Sequence, residues 1–101
     1  IEGHMIKHIV AFKLKNPSDA EAMKAKLMEL NGVVDVMRFW EVGINVGPSS
    51  QPYEVVIYSV FDSLEDLAIF RDHPKHAAIK QAIAGYIETS GTIDYESDGA
   101  S

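Results

Sequence analysis

The sequence predicts an α+β sandwich with the element order β-α-β-β-α-β, and three observations predict it. The first is strict alternation from Met5 to Lys15, which puts Ile6, His8, Val10, Phe12 and Leu14 on one face of a strand. The second is helical spacing in two places: Ala20, Met23, Leu27 and Leu30, then Ile79, Ala82, Ile83, Tyr86 and Ile87. The third is a pair of strand-like runs, Val36 to Val46 and Tyr53 to Phe61, joined by the loop Gly47-Pro48-Ser49-Ser50-Gln51-Pro52.

The elements follow in order. Lys7, Ile9, Ala11, Lys13 and Lys15 form the second face of the first strand. Asn16-Pro17-Ser18-Asp19 is a turn, and Ser18 or Asp19 is placed to cap a helix running to about Leu30, which Asn31-Gly32 ends. In the second strand Val36, Trp40, Val42, Ile44 and Val46 share one face, and Met37, Phe39, Glu41, Gly43 and Asn45 the other. The third strand is apolar on both faces. Asp62 or Ser63 caps a short helix carrying Leu64, Leu67, Ala68 and Phe70, which should end near Arg71. Pro74 cannot continue that helix but suits the first position of a new one, because its missing N–H is an unbonded position there anyway. A second helix is therefore expected over 74–88 and a short last strand over 91–96. This is the split βαβ order of ferredoxin-like sandwiches.

A chain of 101 residues forms one domain around one core. Residues 1–5, Ile-Glu-Gly-His-Met, read as a protease-site and cloning remnant, with Met5 as the natural start. The domain is placed at 5–96 and a polar tail at 97–101. The net charge is −6, with no basic footprint for nucleic acid or an anionic membrane. No run approaches membrane-spanning length. There is no cysteine, which excludes a disulfide or thiol nucleophile and fits a reducing, cytoplasmic setting.

Two helices cover one face of such a sheet. Val36, Trp40, Val42, Ile44, Val56, Tyr58 and Val60 are expected to leave an apolar face uncovered, and a second copy packed sheet against sheet would close it as a homodimer.

Chemistry is expected at the histidines. His76 lies three residues before Ile79 and seven before Ile83, on the apolar stripe rather than with Lys75 and Lys80. A buried imidazole needs a partner or a cavity, and near neutral pH it can act as a general base. His8 shares the strand face of Val10, Phe12 and Leu14, so both imidazoles should reach one pocket. Phe70, His73, Phe12, Val10 and Ile79 complete the expected ligand-contacting set, although His73 also sits where a helix cap belongs. Zinc accepts three histidines and a water. His73 belongs to a corner and His76 to a helix face, so no metal site is assigned.

Five segments carry a family resemblance: Ile6-Lys7-His8-Ile9-Val10, Glu41-Val42-Gly43-Ile44-Asn45, Val60-Phe61-Asp62-Ser63, His73-Pro74-Lys75-His76 and Asp94-Tyr95. In this order and spacing the chain resembles the stress-responsive A/B-barrel (Dabb) family over about Met5 to Tyr95. The resemblance implies a dimeric α/β barrel. One member type is a polyketide cyclase that closes a ring by aldol condensation without metal or organic cofactor. Its two catalytic histidines map onto His8 and His76. A tyrosine that assists it falls at Phe70, and a further pocket histidine at about Val55, so this chain departs from the cyclase at both positions.

The sequence thus leads to a homodimeric ferredoxin-like domain, a small-molecule pocket near His8 and His76, and no cofactor. Two functions fit: a cofactor-independent cyclase, lyase or isomerase with His76 as base, or a non-catalytic stress protein whose histidines are structural.

Overall fold

The first strand, β1 (Met5–Leu14), is central in the sheet and pairs antiparallel on both sides. The computed structural model describes residues 4–98. Residues 1–3 of the expected remnant and 99–101 of the expected tail lie outside them. The sheet order is β2-β3-β1-β4, with β2 at Met37–Ile44, β3 at Val55–Phe61 and β4 at Ile87–Ser97. The order and the all-antiparallel pairing are those of a ferredoxin-like α+β sandwich.

All helices lie on one face. The first begins as a single 3-10 turn, Pro17–Asp19, where Asn16 Oδ1 accepts from the Ser18 backbone N–H. It continues as α1 (Ala20–Leu27) and tightens into Met28–Leu30. The chain then turns through Gly32, whose φ of 74° costs least in a residue without Cβ. Ser63 caps α2 (Leu64–Asp72), its Oγ accepting from Asp66 N at 3.1 Å. Pro74 opens α3 (Pro74–Ile83), directly after α2.

Ile6, Phe12 and Leu14 of β1, and Val55, Ile57 and Phe61 of β3, point into the core beneath these helices. There they meet Met23, Leu27, Leu67, Phe70 and Ile83. Each such side chain contributes on the order of 1.5–3 kcal/mol by leaving water.

Two expectations need correction. The last strand is longer than 91–96: Leu14 pairs with Ile87, and the ladder runs on to Met5 and Ser97. Tyr86 and Ile87 keep helical spacing with Ile83, but Gly85 weakens a helix and the chain leaves it through a 3-10 turn, Ala84–Tyr86. A register shift at Lys13/Leu14 then takes Ile87 into the sheet.

The second correction concerns the open face. Trp40, Val42 and Ile44 register with Ser59, Ile57 and Val55, so they lie under the helices, and Val36 packs against the same core. The deciding group is the Trp40 indole, which is buried and whose Nε1 donates to Leu27 O at 3.1 Å on the helix side. The open face instead carries Phe39, Val56, Tyr58 and Val60 with Ile9, Ala11, Ile93 and Tyr95. Phe39, Ile93 and Tyr95 are 47%, 60% and 43% exposed. Phe39 and Tyr58 meet edge to face at 5.8 Å, and Lys7 Nζ lies 5.6 Å from the Tyr58 ring centre. Among the described residues no helix is long and apolar enough to cross a membrane.

Candidate functional site

A cavity of about 600 Å³ opens on the helix side of the sheet. It exists because β4 is an edge strand whose inward row is polar. Ser90, Thr92 and Asp94 face Phe12, Val10 and His8 of β1 across the ladder. A row of that kind gives a helix little apolar surface to pack on, and α3 leans on α1 and α2 instead.

His8 is anchored from the sheet. Its side chain is only 8% exposed, and Nδ1–H donates to Asp94 Oδ1 at 2.5 Å. The other Asp94 oxygen accepts from Arg71 Nη2, so one carboxylate joins the first strand to the end of α2. Burial alone would push the Asp94 carboxyl up. The hydrogen bonds from His8 and Arg71, with their positive charge, outweigh it and hold Asp94 below the usual carboxylate value.

His76 is anchored from the corner. Its Nδ1 lies 3.1 Å from the Arg71 carbonyl oxygen. A carbonyl only accepts, so Nδ1 carries the proton and the neutral ring keeps its lone pair on Nε2. Burial lowers the His76 pKa. The Arg71 carbonyl opposes this, and the charges of Lys80, His8 and Arg71 add to the lowering. Arg71 therefore holds both imidazoles, His76 through its backbone and His8 through Asp94.

Phe70 is buried between the two, its ring centre 6.2 Å from that of His8 and 4.7 Å from that of His76. Phe61 and Trp40 fix it from behind at 5.3 and 5.9 Å.

Of the expected residues, His8, His76, Phe70, Phe12, Val10 and Ile79 all line this cavity. His73 does not. Its Nδ1 accepts from the Lys75 backbone N–H at 3.0 Å and caps α3, so its ring is engaged at the corner. Val55, where the resemblance puts a third cyclase histidine, is core. Sequence spacing does not single out Asp94 or Arg71, because an acidic residue opposite a histidine is visible only once β1 and β4 are in register. Among the described residues no three His, Cys, Asp or Glu side chains converge as metal ligands would.

Residues 6–97 match the Stress Responsive A/B Barrel Domain (Dabb) family. The chain belongs to that family. An uncharacterized protein of Streptomyces coelicolor is 31% identical over 83 residues, covering 73% of this chain and 81% of its own length. A stress-response A/B barrel domain-containing protein of Arabidopsis thaliana is 25% identical over 101 residues, covering 96% of this chain; the match spans only 38% of that longer protein. Among solved structures, a dimeric ferredoxin-like protein of unknown function from Bacteroides fragilis is 32% identical with a TM-score of 0.79, covering 91% of this Dabb chain and 95% of the other. A hydroxynitrile lyase from Passiflora edulis shares the fold at 19% identity and a TM-score of 0.76, covering 91% and 92%.

Proposed function

We propose that this Dabb domain binds a small, largely apolar carbonyl or α-hydroxy compound in the cavity and moves a proton on it without a cofactor, with His76 as general base. One observation carries the reading. His76 lines the cavity with Nδ1 tied to the Arg71 carbonyl, which leaves Nε2 as the basic nitrogen. Its lowered pKa keeps the ring neutral near pH 7, the state a base requires. His8, fixed by Asp94, is the second group in reach of a bound molecule. Such a pair suits removal of a proton beside a carbonyl, leading to ring closure or isomerisation. It also suits removal of a hydroxyl proton from an α-hydroxynitrile: the oxygen becomes a carbonyl as the adjacent carbon–carbon bond breaks, and the departing cyanide takes a proton back from the imidazolium. The fold likeness to a hydroxynitrile lyase supports trying the second reaction.

The working form is proposed to be a homodimer through the open sheet face, in a reducing cytoplasm that suits a cysteine-free chain. The exposed aromatic and aliphatic groups there, and the dimeric neighbour at 32% identity, support the pairing.

The test is turnover of two probes: exchange of the α-protons of an aryl ketone in D2O, and cleavage of an aromatic hydroxynitrile. Acceleration of either by the protein, lost in His76→Ala with the fold intact, is the expected result. Equal rates in the two proteins would remove His76 as the base. A second reading, a non-catalytic binder, is favoured by the bonding of Asp94 to both His8 and Arg71, and by the phenyl ring of Phe70 at the position where the resemblance puts a cyclase hydroxyl. Saturable ligand binding with no turnover would select it.

A further inference from the structure

The ionisable groups that line the cavity are all basic: His8, Arg71, His76 and Lys80. The composition gives no reason for this, since the chain has 15 acidic residues against 9 Lys and Arg. The nearby carboxylate, Asp94, has one oxygen on His8 and the other on Arg71. Lys80 stands four residues after His76 on α3, so the two share a face of the helix. It is exposed, and among the described residues it forms no ion pair. The Arg71 side chain is 45% exposed and spends one nitrogen on Asp94, leaving further N–H donors in its planar fork. A cavity with an apolar floor and two lysine or arginine cations beside it has the form of an organic-acid site.

We propose that the cavity takes a small carboxylate, its apolar body against Phe70, Ile79 and Ile87 and its anionic head met by Lys80 and Arg71. This rests on the reading of the cavity as a small-molecule site and narrows its substrate class to carbonyl or hydroxy acids. An anion fits the local field. Each positive neighbour that holds His76 neutral also attracts a negatively charged ligand, so base and anchor are served by the same charges. Lys80 supplies a mobile point charge, whereas Arg71 is fixed by Asp94 and sets the direction of approach.

The experiment compares 4-phenylbutyrate with 4-phenylbutanamide, which match in shape and differ in charge. Each is titrated into the protein and followed by ¹H–¹⁵N resonances of His76 and Ile79 and by calorimetry. The acid is expected to bind about tenfold more tightly than the amide at low salt, as charge-assisted hydrogen bonds require, and to lose part of that advantage as salt is raised. Lys80→Gln should weaken acid binding about fivefold and leave amide binding unchanged. Amide binding as tight as acid binding would overturn the anion inference and leave the cavity reading standing. No binding of either would overturn both. An acid preference that Lys80→Gln does not reduce would overturn the assignment of the anchor.

Discussion

Asp94 and His8 stand directly opposite each other in the β1–β4 ladder, and Nδ1 and Oδ1 meet at 2.5 Å. Facing residues on a shared sheet face bring their side chains close without any loop to adjust, so the ladder itself presents the imidazole. Asp94→Asn keeps an acceptor for His8 but removes the charge that holds Arg71. Asp94→Ala removes both and leaves a buried N–H unbonded, at a cost of about 1–3 kcal/mol. Chemical denaturation should therefore rank the alanine variant well below the asparagine variant. The His8 Nδ1 proton resonance should survive in Asp94→Asn and vanish in Asp94→Ala. Equal stability of the two variants would mean that the carboxylate does not hold the ring.

The pH dependence follows from His76 and Asp94. His76 titrates below the ordinary imidazole value of about 6.5 when folded. As pH falls, the unfolded chain takes up that proton first, so the contribution of His76 is present above about pH 6.5 and is lost as pH falls through the lower native value. Asp94 is also lowered, so its contribution is present above the ordinary carboxylate value and is lost as pH falls through its own native value. The Tm should fall in two stages on acidification, and His76→Gln should flatten the upper stage alone. Where turnover is measured, the acid limb of kcat/KM should lie below pH 6.5. An upper stage unchanged in His76→Gln would assign it to another group.

Association should run through the open sheet face. Val56 and Tyr58 point away from the helices, and Val56 is 38% exposed in the single chain. Val56→Asp or Tyr58→Glu should then shift light scattering from dimer to monomer while the near-ultraviolet spectrum of the core persists. Trp40→Glu, on the other face, should unfold the domain. A stable dimer through this face should bury about 1,000 Å² or more of surface in total. Scattering that shows a monomer for the unsubstituted protein at micromolar concentration would remove the pairing.

How much of this was legible in sequence depended on the range of the interaction. Ser63, three residues before the Asp66 amide it binds, and Pro74, at the first helical position, are local signals and were readable as such. Alternation separated the two faces of β1 and placed His8 with Phe12. It could not tell which face of β2 turns inward, because Trp40/Val42 and Phe39 are both apolar; the indole N–H and its partner Leu27 O decide that in three dimensions. Asp94 lies 86 residues from His8, so their meeting depends on strand register and not on any spacing within the sequence. Ile87 keeps the helical spacing of Ile83, and Gly85 with the β1 ladder takes it into a strand instead.

The last prediction concerns the corner between α2 and α3. The hydrogen bond that sets His76 crosses it: the Arg71 carbonyl belongs to the last turn of α2, and His76 is the third residue of α3. Between them His73 is extended, with φ −70° and ψ 137°, and its carbonyl accepts from His76 N at 3.0 Å. Pro74 fixes its own φ and restricts the residue before it to that extended region. Pro74→Gly frees both positions and also enlarges the unfolded ensemble, at a cost of about 1 kcal/mol or somewhat more. The side chain of Pro74 is at the surface, so the core should keep its packing. The ring of His76 should not keep its position, since the acceptor and donor of its fixing bond then move relative to each other. Exchange of the His76 Nδ1 proton should accelerate far more than that of the backbone amides of α1, and ligand affinity or turnover should fall by more than the stability loss accounts for. Pro74→Ala, which restores a good helix former without the ring constraint, should lie between the two. If Nδ1 exchange and α1 amide exchange rise together in proportion to the lost stability, Pro74 serves the fold as a whole and not the placement of the base.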